Sequence, residues 1–194
     1  MRIIGGRFKG RLLQAPSGLA TRPTSDRLRE TLFNVLAHGY DDPITGARVL
    51  DLFAGTGALG LEALSRGAAF VQFVEEAAVA RGLIKANVEA LGVAGVTKVY
   101  RRDATYMGPV APAEPFSLIF CDPPYAKGLA ALALASALKG GWLVPDALII
   151  VEEKADQTDI LPSGFEEIEE RLYGDTKLVF TRLARPSDAT DGLK

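Results

Sequence analysis

Residues 51–63 read DLFAGTGALGLEA, and no other stretch limits the possible folds so tightly. Gly55, Gly57 and Gly60 fall in the pattern G-x-G-x-x-G between an apolar run, RVLDLFA, and a helical-looking run, ALGLEALSRG. Glycines there let the backbone turn sharply and let a ligand lie against it, beside a helix N-terminus. Such a loop belongs at the carboxyl end of a strand in an open α/β sheet. The remaining pattern agrees. AAFVQFVEE, TKVYRRD, FSLIFCDPP and ALIIVEEK read as strands, separated by helical runs that end at Gly67, Gly92 and Gly140. Near-continuous apolar strands alternating with helices imply a parallel sheet covered on both faces. The last stretch, FEEIEERLYGDTKLVFTRL, holds two strands around a Gly-Asp turn, so the sheet should finish in an antiparallel hairpin. The expectation is a Rossmann-like α/β fold with a mostly parallel, seven-stranded sheet.

Ahead of this core, IIGGRFKGRLLQAP looks like a short glycine-kinked hairpin. RPTSDRLRETLFNVLAHG follows as a helix opened by Pro23 with Thr24 or Ser25 as cap. Leu28, Leu32, Val35 and Leu36 form its buried stripe, which would leave Arg27 and Arg29 free on the other side. The expected organisation is an extension over residues 1–40, a core over 41–184 and a polar tail over 185–194. The first 30 residues hold seven basic and two acidic side chains, a balance of +5 in a chain of net charge −2. A basic end on an acidic body suits a polyanionic, phosphate-bearing partner. Arg7, Lys9, Arg11 and Arg22 are the candidate contacts to nucleic-acid phosphates.

A single cysteine, Cys121, and a single histidine, His38, exclude an internal disulfide framework and a Cys/His zinc cluster. No metal is expected. The start has charges and glycines where a leader needs an apolar core, and the longest apolar run, LAALALASAL, is too short to span a bilayer. The expectation is a soluble, cytoplasmic, reducing-compartment protein with no membrane partner, and nothing in the chain demands a dimer.

Glu75 lies 20 residues past Gly55, where the glycine fingerprint places an acid for ribose hydroxyls. A nucleoside-containing cofactor follows, and the loop alone leaves nicotinamide and S-adenosylmethionine open. Asp51 favours the second, because a carboxylate four residues before the first glycine would repel a pyrophosphate but suits the ammonium of an amino acid. Asp103, in VYRRDAT, is placed to accept from adenine's amine or simply to cap the next turn. Phe53 and Ala104 are candidate walls.

Asp122-Pro123-Pro124-Tyr125 ends the fourth strand of the alternating region, on the rim where ligands of open sheets bind. The lone pair of an exocyclic base amine is delocalised into the ring. Two acceptors on its N–H groups would hold it and favour a tetrahedral nitrogen. The Asp122 carboxylate and the Pro123 carbonyl are such acceptors, and two prolines fix the carbonyl direction in advance. Tyr125 offers a flat face to a flipped-out base.

A D-x-F-x-G-x-G loop with a later DPPY resembles the S-adenosylmethionine-dependent amino-methyltransferases of class I. Together with RIIGGRFKGR, RPTSDRLRETLFNVL, DLFAGTGALGLEALSRGA and YGDTKL, roughly residues 1–183 resemble the bacterial 16S ribosomal RNA guanine-N2 methyltransferase family, RsmD. The resemblance implies S-adenosylmethionine as cofactor. Asp51, Gly55 and Gly57 would hold its methionine part, Glu75 its ribose and Asp103 its adenine. Asp122 to Tyr125 would hold the guanine amine. It implies N2-methylguanosine in small-subunit RNA as product and an assembling 30S subunit as partner. Glu76 is the reserve ribose acid, since Glu76-Ala77 departs from the family pattern. The same tetrapeptide serves adenine-N6 methyltransferases on DNA or RNA, which is the nearest alternative. A nicotinamide oxidoreductase would leave DPPY unexplained, and a non-catalytic assembly factor would have no need of Asp122 and Tyr125. Cys121 reads as a small buried hydrophobe, His38 as a helix-end residue and Trp142 as packing. Glu152 and Glu153 read as solvated strand ends.

Overall fold

The computed structural model describes residues 1–16, 23–124 and 128–185; Arg22, Tyr125 and most of the polar tail fall outside them. Seven strands, β1 (Arg48–Leu52), β2 (Phe70–Val74), β3 (Thr97–Tyr100), β4 (Phe116–Cys121), β5 (Leu143–Lys154), β6 (Phe165–Tyr173) and β7 (Thr176–Leu183), form one sheet. Their order is β3-β2-β1-β4-β5-β7-β6. The first five pair in parallel, and β7 runs antiparallel to both β5 and β6. The mostly parallel sheet with a closing hairpin is therefore present, and the hairpin turns at Gly174-Asp175 between β6 and β7.

Helices α1 (Pro23–Gly39), α2 (Ala58–Ser65), α3 (Ala78–Leu91) and α4 (Leu129–Lys139) cover the faces. Phe33, Leu61, Phe73, Ile84, Phe120 and Phe180 pack one side of the sheet with α1, α2 and α3. Leu50, Ile119, Leu134, Phe116 and Trp142 pack the other with α4. Alternation along each strand decides which residue goes where. Asp51, one place from Leu50 and Leu52, turns toward the α2 side, and its Oδ2 accepts from Gly60 N–H at 3.0 Å. Trp142 stacks on Phe116, and its Nε1–H donates to the Gly108 carbonyl at 2.8 Å, which is a packing role. Cys121 is 1% exposed, and burial pushes its thiol far up, as befits a small hydrophobe.

The amino-terminal hairpin is reduced to one antiparallel bridge, Arg2 with Leu12, around a short 3-10 turn at Gly6–Phe8. It is docked on α2 rather than paired with the sheet. Glu62, fully buried, accepts from Ile4 N–H, Gly5 N–H and Arg66 Nε, each at 2.8 Å. Ser65 Oγ accepts from Phe8 N–H and donates to the Gly5 carbonyl. A Cβ at Gly6 would fall on the Ser65 carbonyl, so the approach requires glycine. The expectation that Arg29 stays free on the outer face of α1 fails. Arg29 is 5% exposed, donates to the Arg2 carbonyl at 2.6 Å and to Asp26 at 2.9 Å, and lies 3.8 Å from Glu62. A buried glutamate needs cationic neighbours, and the helix turns Arg29 inward to supply one.

Candidate functional site

The carboxyl ends of β1 to β5 meet at one rim, where side chains from Glu152 of β5 and from the loops after β1 to β4 converge. A cavity of about 870 Å³ opens there. That lies within the span of small-molecule sites, about 300–1,000 Å³. It is lined by Phe53, Gly55, Glu75, Glu76, Asp103, Ala104, Asp122, Pro123 and Pro124 among others. A smaller cavity, about 270 Å³, lies on the α1–α2 side and is lined by Asp51, Thr56, Met1 and Leu28. The two share Phe53, Gly55, Asp122 and Glu152, so one ligand could occupy both.

The Glu75 carboxylate, which braces the loop after β1, is held from two sides. Gly55 N–H donates to Glu75 Oε2 at 2.9 Å, and Ala77 N–H donates to Glu75 Oε1 at 2.7 Å. Each carboxylate oxygen keeps acceptor capacity beyond its one bond. Of the three fingerprint glycines Gly60 makes the closest approach, since a Cβ there would meet Phe73 Cε1 at 2.5 Å and Val71 Cγ1 at 2.6 Å. Only a glycine lets α2 lie this near β2. Phe53 holds φ of 58°, a left-handed conformation that is strained for a side chain of this size. That strain sits on the wall shared by both cavities.

Asp103 does two things. Its Oδ1 accepts from Thr105 N–H at 2.8 Å and Thr105 Oγ1 at 2.7 Å, capping a 3-10 turn, while the residue lines the larger cavity. Asp51 is 1% exposed and lines the smaller one. Burial, opposed by the Gly60 N–H and reinforced by the charge of Glu75, pushes its carboxyl up to about 8. An acid so placed is short of a cation.

Asp122 follows β4 directly. Burial, then the charges of Glu152, Asp51 and Glu153, hold its carboxyl well above the usual carboxylate range. The parallel register that sets Cys121 beside Val151 brings Asp122 alongside Glu152. Glu153 is only 1% exposed, so the pair does not form the solvated strand end that its position suggested. Arg102, Thr105 and Leu129 are cavity residues that sequence reasoning passed over, and Glu152 is one that it read as a solvated strand end.

Arg7, Lys9 and Arg11 are all exposed on the docked amino-terminal segment. The Arg7 guanidinium lies 4.6 Å over the Phe8 ring, and Arg11 donates to the Ala90 carbonyl at the end of α3 at 2.9 Å. Among the described residues no group of histidine, cysteine, aspartate and glutamate could hold a metal, and no helix is long and apolar enough to cross a membrane.

A family model described as Conserved hypothetical protein 95 matches residues 1–182. The chain is 39% identical over 176 residues to Ribosomal RNA small subunit methyltransferase D of Escherichia coli K12, covering 90% of this chain and 85% of that one. The namesake in Haemophilus influenzae is 34% identical over 176 residues, covering 90% and 89%. The solved structure of yhhF from Escherichia coli superposes with a TM-score of 0.79 at 37% identity, covering 94% of this chain and 97% of that one. The ribosomal protein L11 methylase of Lactobacillus delbrueckii, at 14% identity and a TM-score of 0.61, shares the fold alone.

Proposed function

The chain belongs to the Conserved hypothetical protein 95 family, that of the small-subunit ribosomal RNA methyltransferases RsmD, and on that footing we propose that it methylates the exocyclic N2 amine of a guanine in 16S ribosomal RNA. The fold is that of class I methyltransferases. The methyl donor is S-adenosylmethionine, and the acceptor is an assembling 30S subunit. The product is N2-methylguanosine. The observation that carries the reading is the convergence on one cavity of Glu75, braced by the glycine loop, with Asp122 and Pro123.

The donor set fits the cofactor. Two braced carboxylate oxygens on Glu75 suit a pair of ribose hydroxyls, and ionised acceptors make the stronger bonds. Oδ2 of Asp103, which carries no bond among the described residues, suits adenine's amine. Asp51 suits the ammonium of the methionine part. Phe53 and Ala104 supply apolar walls. S-adenosylmethionine contributes an electrophilic methyl group.

The chain's own part is to hold and orient the amine. Asp122 and the Pro123 carbonyl accept its two N–H bonds, which localises the lone pair and aims it along the line of transfer. As the amine gains its methyl it becomes cationic, and Asp122 is placed to take the surplus proton. A carboxyl held above its usual range is suited to that task. Tyr125, outside the described residues, would stack on the base. Arg7, Lys9, Arg11 and Arg22 would contact RNA phosphates, and the enzyme would work as a monomer in the cytoplasm.

The test is transfer of labelled methyl from S-adenosylmethionine to undermethylated small subunits, followed by nucleoside mass spectrometry. N2-methylguanosine is the expected product. N6-methyladenosine would replace the guanine assignment with the adenine one, which the Asp-Pro-Pro-Tyr sequence also permits.

A further inference from the structure

Asn87 lies on α3 and is 1% exposed. Its neighbours on the buried side of that helix are Ile84, Val88 and Leu91, where an amide has no packing role. A buried amide is costly unless bonded, and this one is bonded three times. Oδ1 accepts from Gln14 N–H at 2.7 Å. Nδ2 donates to the Gln14 carbonyl at 3.1 Å and to the Thr56 carbonyl at 3.1 Å. Gln14 closes the docked segment that carries Arg7, Lys9 and Arg11. Thr56 sits between Gly55 and Gly57. Thr56 Oγ1 also donates to Met1 Sδ at 3.4 Å, a second contact from the same segment. A bonded path therefore runs from Gln14 through Asn87 to the glycine loop, and on through Gly55 N–H to Glu75.

We infer that Asn87 is a positioning residue that couples the amino-terminal segment to the glycine loop, so that RNA held by the one and cofactor held by the other raise each other's affinity. This rests on the assignment of those two ligands above. RNA phosphates on the basic side chains fix the segment and with it both backbone groups of Gln14. The Asn87 amide, gripped at one end, then holds the Thr56 carbonyl in place. The loop and Glu75 are thereby set before the cofactor arrives. Linkage makes the effect mutual, since whatever RNA does for cofactor affinity the cofactor does for RNA. The expected factor is about five- to tenfold, near the low end of measured couplings.

The experiment titrates S-adenosylhomocysteine into the full chain by calorimetry, with and without in vitro transcribed small-subunit ribosomal RNA. RNA is expected to tighten the wild type about five- to tenfold. Asn87→Ala should bind S-adenosylhomocysteine more weakly on its own and lose the tightening, so that the ratio falls to near one. A purely structural role would lower the melting temperature and leave the ratio unchanged, which would overturn the proposal. Hydrogen exchange on the wild type needs no variant to fold. The Gln14 amide should exchange more slowly once S-adenosylhomocysteine is bound, and an unchanged rate would equally overturn the coupling. Wild type that binds S-adenosylhomocysteine with a ratio of one refutes the coupling alone. Wild type that binds none refutes the cofactor assignment and the coupling with it.

Discussion

Replacing Asp51 by asparagine should change how stability depends on pH in a calculable way. The wild-type carboxyl titrates near 8 when folded, against an ordinary value of 3.8. Between those limits the folded chain keeps a proton that the unfolded chain has given up. A group raised in this sense contributes fully below about pH 4, and the contribution is lost as pH rises toward 8. Each pH unit in that window costs about 1.4 kcal/mol. From pH 5 to pH 7 the wild type should lose about 2.7 kcal/mol through Asp51. Asparagine keeps an oxygen for the Gly60 N–H and has no proton to lose. Denaturant unfolding of the ligand-free chain at pH 5, 6 and 7 measures the difference. The stability of Asp51→Asn relative to wild type should rise steadily across the series. A difference that stays constant with pH would refute the argument, because it would mean that Asp51 ionises in the folded chain as it does in water.

Asp122→Ala should still bind S-adenosylhomocysteine but lose roughly 10²-fold or more in single-turnover rate, the scale of one lost preorganised contact; an unchanged rate would remove Asp122 from the chemistry. Gly60→Ala drives a methyl group into Phe73 and Val71 and should cost about 1–3 kcal/mol by chemical denaturation. Replacing Arg7 and Lys9 together should lower the salt dependence of RNA binding by roughly two phosphate contacts, read as the slope of log affinity against log salt. An unaltered slope would move the RNA to another face.

Much of the rim was legible because its determinants are local. Gly55, Gly57 and Gly60 are spaced by the geometry of one turn, and Glu75 by the length of one helix-strand unit. Asp122 is announced by two consecutive prolines, which stop the sheet ladder. Glu152 was not legible in the same way. Its isolated sequence, VEEK, is that of an ordinary strand end, and only the register of β5 beside β4 turns it toward the cavity. Arg29 was misjudged for a related reason. Helical periodicity reports which face is apolar, whereas Arg29 is drawn inward by a buried carboxylate 33 residues away in sequence, Glu62. Asn87 reads as one polar letter in a helix until Gln14 and Thr56 are seen on either side of it. Contacts across long sequence separations leave no periodic trace.

The strand order has a consequence for the way the chain is made. Among the described residues β7 is the last strand, yet it lies inside the sheet, between β5 and β6. Until it arrives, Ile149, Ile150 and Val151 of β5 present an open apolar edge along the line where Thr181, Phe180 and Val179 will pair. An unpaired edge of that kind invites pairing with another chain. During synthesis strands β1 to β5 can pair early, but their flank stays unsealed until β7 has left the ribosome. A nascent chain that stalls after β5 is therefore the species most exposed to aggregation, and the interval between β5 and β7 is where a holdase would act.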